Sequence, residues 1–344
     1  MKKIQVVLAF AILLGVFIVA IGRGSVNIST GDIFRVIVYR TFGLGTAPAT
    51  GVISIIWYSR LPRALLAFVV GASLAVSGAI MQSVLRNPLA SSYTLGVSSG
   101  ASFGASLVLF TGVGAVLPML TGFTLPAMGF VFGMFTIMLV VAMASKMDGR
   151  MNNNTIILVG MVLSLFVNSV TTLLMALYRE YAQRLIFWQM GSFSPTHTQG
   201  WQTVAILAPI TLLGCLLALR YHRELDIMTF GEEQAQLMGI NLRQVKWILL
   251  LIAAAITGSA IAFVGIIGFV DLVSPHVVRR IFGSRHRLII PLSAIFGGAF
   301  MMLCDLVART VVSPGELPVG VVSALIGAPF FGYVYFAKGR RAKC

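Results

Sequence analysis

Apolar runs of about bilayer length, separated by short polar turns, fill nearly the whole chain. The runs are continuous rather than alternating, which argues for membrane helices and against a transmembrane barrel. A polar turn recurs about every 30 residues, so about ten spans fit. The first is predicted over residues 4–21, the second over 60–85, the third over 89–112 and the fourth over 117–144. The fifth ends near Tyr178, the sixth covers 201–219, the seventh 245–261 and the eighth 265–281. The ninth ends near Arg309 and the tenth near Ala337. The second carries GASLAVSGA, whose small residues let helix backbones approach closely. Arg86-Asn87-Pro88 ends it, since proline breaks a helix and disfavours helix at the residue before it. Ser274-Pro275-His276 reads as a matching proline break in the second half, either as in an inverted repeat or because membrane helices simply share composition.

Between the first two spans, Ser29 or Thr30 can cap a short interfacial helix carrying Ile33, Phe34, Ile37 and Val38 on one side. Trp57 and Tyr58 then mark an aromatic belt. Trp188, Gly191 and Pro195 suggest a short re-entrant or interfacial piece.

One stretch breaks the apolar pattern. Residues 225–243, LDIMTFGEEQAQLMGINLR, form a polar knob predicted as two short helices broken at Gly231 and Gly239. With Glu224 at its edge, it holds four of the chain's ten acidic residues. Flanked by spans, it must face water, either as a solvated loop or as a docking element for a soluble partner.

Composition agrees with the pattern. Of the 344 residues 58% are hydrophobic and 10% charged, and the mean hydropathy is +0.95. Soluble domains carry about 25% charged residues. The net charge of +15 fits anionic lipid and the positive-inside bias rather than nucleic acid. With ten spans and both termini in the cytoplasm, every lysine falls inside, whereas a nine-span arrangement puts one basic terminus outside. The fold class predicted is therefore an all-α polytopic membrane protein with about ten transmembrane helices, a single transmembrane domain over 1–344. The first span resembles a signal peptide, but Gly22-Arg23-Gly24 is a poor cleavage site, so it is expected to remain. Cys215, Cys304 and Cys344 show neither metal-ligand spacing nor a disulfide framework.

Seven blocks, in order, resemble the permease subunit of type II ATP-driven importers for iron–siderophores, vitamin B12 and haem, the FecCD or BtuC-like family. They are RLPR (60–63), GASLAVSGAIMQ (71–82), RNPLA (86–90), LGVSSGA (95–101), the polar knob, GFVDLVSPHVVR (268–279) and ELPVGVVSALIGAPFF (316–331). The resemblance spans nearly the whole chain. It implies ten helices per subunit in the cytoplasmic (inner) membrane and a second permease subunit completing a homodimer. It also implies two ATPase subunits on the cytoplasmic face and a soluble binding protein delivering cargo from outside.

By the same resemblance, the knob holds coupling helices, with Gly231, Glu232, Ala235, Met238 and Gly239 on matching positions. Arg60, Arg63 and Arg309 match arginines presented to acidic residues of the binding protein. Read from the residues alone, they are interface-anchoring positives, and Arg309 can pair with Asp305 one turn earlier. Asn87, Leu89 and Asn153 align with segments that narrow the cytoplasmic end of the pathway; a plain capping or turn role is the alternative.

The chain has no phosphate-binding GxxxxGK[ST], so ATP and its Mg are expected on the partner ATPase, with no cofactor in this chain. Asp271 stands where the family has glycine. A buried acid in a span marks a functional site, or else it pairs with Arg279 or His276. His276 has no second ligand at helical spacing, and the 16 methionines read as packing between helices.

The function that follows is translocation of an iron–siderophore-type chelate. Cobalamin, haem or molybdate carried by the same machinery is the alternative. A secondary transporter driven by an ion gradient would need acids near mid-membrane, and Asp271 and Asp305 are the only candidates. An enzyme would need paired acids, a His cluster or a nucleophile–base set, and none is apparent.

Overall fold

The computed structural model describes residues 2–24, 26–112, 122–148, 151–194 and 200–341. The predicted start of the fourth span at 117, Pro195 and Cys344 lie outside these residues. The helices in order are α1 (Lys2–Gly22), α2 (Thr30–Phe42), α3 (Thr50–Val84), α4 (Val97–Thr111), α5 (Thr124–Met147), α6 (Asn153–Leu177), α7 (Arg179–Gln189), α8 (Trp201–Arg220), α9 (His222–Met228), α10 (Glu232–Leu237), α11 (Leu242–Val264), α12 (Val270–Phe282), α13 (His286–Thr310) and α14 (Val319–Arg341). Among the described residues, seven of these are long and apolar enough to cross a membrane: α1, α3, α5, α6, α8, α11 and α13. The predicted third and eighth spans are shorter helices, α4 of 15 residues and α12 of 13. Irregular backbone precedes each. Residues 87–96 lead into α4 and 265–269 into α12. Both stretches are largely packed within protein, as irregular backbone at membrane depth must be.

The second helix begins ten residues before its predicted start. Ser54–Arg60 is wound as a π-helix, and the Leu61 amide bonds the Ile56 carbonyl. The wider turn sits just ahead of Pro62, where a proline ring would clash with a regular preceding turn. The interfacial helix α2 forms as expected, with the Ser29 hydroxyl accepting from the Asp32 amide. It buries Ile33 and Val36, leaving Phe34 and Val38 exposed. The stretch around Trp188 includes the 11-residue helix α7.

The central helix is α3. From Leu61 to Val84 every residue except Leu65 and Phe68 is buried. It packs most extensively against α13, and also against α11, α12 and α8. The small residues of GASLAVSGA make that possible. A Cβ on Gly71 would lie 2.2 Å from the Gly297 carbonyl oxygen, and one on Gly78 would lie 1.9 Å from the Asp271 carbonyl oxygen. The outer helices α1 and α6 instead expose apolar side chains, including Phe10, Leu14, Leu165 and Phe166, on faces fit for lipid or another subunit.

Replacing Gly78 with alanine must push α3 and α12 apart. We expect Gly78→Ala to lower the melting temperature of the detergent-purified protein, at a cost of about 1–3 kcal/mol. Gly15→Ala, where a Cβ meets nothing within 4 Å, serves as the neutral control.

Candidate functional site

The knob folds as its sequence pattern predicts. Helices α9 and α10 are separated at Gly231 (φ 138°), and α10 is separated from α11 at Gly239 (φ 83°). Both glycines adopt backbone that an L side chain rarely takes. The underside of the knob is apolar. Leu225, Met228 and Ala235 are fully buried in one core with Val141, Ala144, Met151, Val245 and Leu249. Its other surface is also partly apolar but open to solvent. Phe230 is 70%, Leu237 88% and Met238 63% exposed.

Two ties fix the knob to the membrane helices. The first is Lys246, in the second turn of α11 and 0% exposed. Its Nζ donates to the Met151 carbonyl at 2.7 Å, to Asn153 Oδ1 at 2.8 Å and to Glu232 Oε1 at 2.9 Å. An ammonium has three donors, and all three are used. Glu232 and Asn153, predicted for different roles, therefore meet on one lysine. The N-cap of α6 is Asn152, whose side chain accepts from the Asn154 amide, which frees Asn153 for Lys246. The second tie joins Asp226 of α9 to the start of α13. Asp226 Oδ1 accepts from the His286 amide at 2.8 Å and bonds His286 Nδ1 at 2.7 Å.

The other predicted pathway residues lie in the turn after α3. Asn87 Oδ1 accepts from the Leu89 amide at 2.9 Å, closing a local turn over Pro88. The Leu89 side chain is exposed. Pro275 does not break a helix as expected; it lies inside α12. The proline cannot donate to the Asp271 carbonyl four residues back, and Gln82 Nε2 donates there instead at 3.1 Å.

Away from the knob, the arginines predicted as docking cations are engaged within the chain; Arg60 and Arg63 are buried and Arg309 is half-buried. Arg60 donates to the Ile21, Gly22 and Val26 carbonyls. Arg63 Nε donates to Asp305 Oδ1 at 2.9 Å, while its two terminal nitrogens meet Glu316 at 2.8 and 3.1 Å. Arg309 Nε lies 3.4 Å from Asp305 Oδ2, the pairing the sequence allows, and Nη2 donates to the Ala20 carbonyl. This network ties α1 and α13 to α3 at the end away from the knob, and Glu316 is its exposed member.

Asp271 is 2% exposed, and among the described residues no side chain hydrogen-bonds its carboxylate. The expected partner Arg279 bonds Gln82, Ser83 and the Ala79 carbonyl instead. His276 rests edge-on against Phe331. Among the described residues no group of three His, Cys, Asp or Glu is placed to hold a metal.

Sequence reasoning misses Lys246, Glu316 and Gln82 as site members. For Lys246 a signal exists. It shares a helical face with Leu242, Val245 and Leu249, where a lysine needs a buried partner.

Removing one partner of a buried ion pair leaves the other charge uncompensated. We expect Arg63→Ala to destabilise the purified protein by about 3–5 kcal/mol, because Asp305 loses its principal counter-charge. Glu316→Gln, at an exposed partner, should cost about 1 kcal/mol or less. Thermal unfolding of the two variants side by side checks this.

Comparison with known proteins agrees with this architecture. Residues 12–337 match the model of the FecCD transport family. The ABC transporter permease protein YvrB of Bacillus subtilis (strain 168), itself uncharacterised, is 38% identical over 97% of this chain and 94% of its own length. The cobalamin import system permease protein BtuC of Halobacterium salinarum is 37% identical over 82% of this chain and 73% of its own. A solved metal-chelate type ABC transporter in an inward-facing conformation superposes with a TM-score of 0.83 at 28% identity, covering 98% of this chain and all of that one. The chain is thus a multi-pass membrane permease of ABC transporters, and it belongs to the FecCD transport family.

Proposed function

We propose that this chain forms the membrane pathway of an importer that carries a metal chelate of the iron–siderophore type into the cytoplasm. A separate ATPase powers it and an external binding protein feeds it. The observation that carries this reading is the knob. It presents exposed Phe230, Leu237 and Met238 to solvent while Glu232 and Asp226 tie it to the membrane helices. An apolar surface of that kind suits a cleft on a soluble partner, and rigid ties let the partner's movement reach the spans. In this reading Gly231, Glu232, Ala235, Met238 and Gly239 couple to the ATPase. ATP and Mg reside on the ATPase. The knob and both termini face the cytoplasm, and the membrane is the cytoplasmic one. A second copy of the chain completes the pathway, with Asn87, Leu89 and Asn153 at its inner end.

The binding protein would dock at the opposite end. Arg60, Arg63 and Arg309 are its docking arginines in this reading, and Arg63 becomes available if the binding protein's carboxylates take the place of Glu316, whose exposure makes it the least costly partner to displace. The cargo class rests on the metal-chelate type transporter that shares the fold, with cobalamin, haem and molybdate as the alternatives. An ion-coupled carrier is disfavoured because Asp305, one of its two candidate acids, is committed to Arg63 and Arg309.

The test is uptake of labelled ferric siderophores, haem, cobalamin and molybdate into cells lacking their own importers. The cells receive this chain with its ATPase and binding protein, the ATPase in active and inactive form. ATP-dependent uptake of a ferric chelate is expected, and uptake indifferent to the inactive ATPase would overturn the reading. Glu232→Arg and Gly239→Leu should each lower uptake about tenfold at unchanged expression, the first by reversing charge against Lys246, the second by straining a left-handed position.

A further inference from the structure

Beyond the Lys246 tie, the second tie does not end at His286. His286 Nε2 lies 2.6 Å from Ser83 Oγ, at the knob end of α3. Arg279 of α12 donates to the same Ser83 oxygen at 2.9 Å and to Gln82 Oε1. The Gln82 amide then donates to the Asp271 carbonyl at 3.1 Å, the acceptor that Pro275 leaves open. A continuous chain of hydrogen bonds thus runs from the Asp226 carboxylate on the knob through α13 and α3 into the first turn of α12.

Each link is closely held. Gln82, Ser83 and His286 are 4%, 6% and 1% exposed. Among the described residues no carboxylate pairs with Arg279, and its partners there are the Gln82, Ser83 and Ala79 oxygens. A half-buried guanidinium held this way does not release its acceptors without strong desolvation cost. Ser83 carries one proton: with the His286 Nδ1 proton on Asp226, a neutral imidazole accepts it at Nε2 and the chain is whole, whereas a hydroxyl turned to the Ala79 carbonyl keeps the link only to an imidazolium that donates from Nε2. The backbones of α3 and α12 touch at Gly78 and Asp271, so a shift of one is felt by the other.

We propose that Gln82, Ser83, Arg279 and His286 are positioning residues that convey the placement of the knob to α12. This rests on the coupling role proposed above for the knob, but its first test does not. In the purified full chain, amide hydrogen exchange should respond reciprocally. Asp226→Ala should raise exchange across Val270–Phe282 about tenfold, and Gln82→Leu should raise it to a similar extent across His222–Met228. Asp226→Asn, which keeps an acceptor oxygen for His286, should restore most of the protection. If Asp226→Ala does not fold, Gln82→Leu alone decides. Changes confined to the neighbours of the altered residue would overturn the proposal. In proteoliposomes with the ATPase and binding protein, Ser83→Ala should lower cargo moved per ATP about tenfold while ATP hydrolysis persists. Unchanged cargo per ATP would count against the link. Absence of ATP-driven uptake by the wild-type protein would instead sink the importer reading, and the link would then stand or fall on the exchange result.

Discussion

A single buried ammonium organises the water-facing end of this protein. Lys246 is removed from solvent, and a lone charge in that position would cost several kcal/mol. It is tolerated because three acceptors from three places in the chain converge on it: Glu232 from the knob, Asn153 from the start of α6 and the Met151 carbonyl from the turn before it. The requirement runs both ways. The lysine needs the knob seated against α11, and the knob's carboxylate needs the lysine. Hydrophobic burial of Leu225, Met228 and Ala235 supplies adhesion without direction, and the ion pair fixes the position.

The opposite end uses the same chemistry for a different purpose. Arg63 bridges Asp305 and Glu316, and Arg60 and Arg309 tie down the carbonyls around residues 20–26. The buried part of α3, Leu61–Val84, carries Arg63 near one end and Gln82 and Ser83 at the other, with glycines between them that admit neighbouring backbones. A tightly packed, nearly wholly buried helix with polar clamps at both ends is suited to move as a rigid body.

Much of this is legible in the sequence, and the rest fails for definable reasons. The knob and its two breaks follow from Gly231 and Gly239, because local backbone preference decides them. The close-packing role of GASLAVSGA follows from residue size. The start of α3 is misplaced by sequence reasoning because the π-wound Ser54–Arg60 has no distinct residue signature. Pro275 reads as a break because the compensating donor, Gln82, lies almost two hundred residues away in sequence. Arg63 reads as an interface cation for the same reason: Asp305 and Glu316 are remote from it along the chain. Lys246 counts as a loop positive when charge alone is considered, although its register on α11 places it on the buried face.

The measurement that tests this account most directly is a double-mutant cycle on Lys246 and Glu232, read as cargo moved per ATP hydrolysed by the reconstituted importer. Lys246→Met and Glu232→Gln should each reduce coupling, and the double variant should be no worse than Lys246→Met alone, since the pair with Glu232 is already lost there. Independent, multiplying effects, or coupling unchanged in both single variants, would show that the knob is held in its working position by something other than this pair.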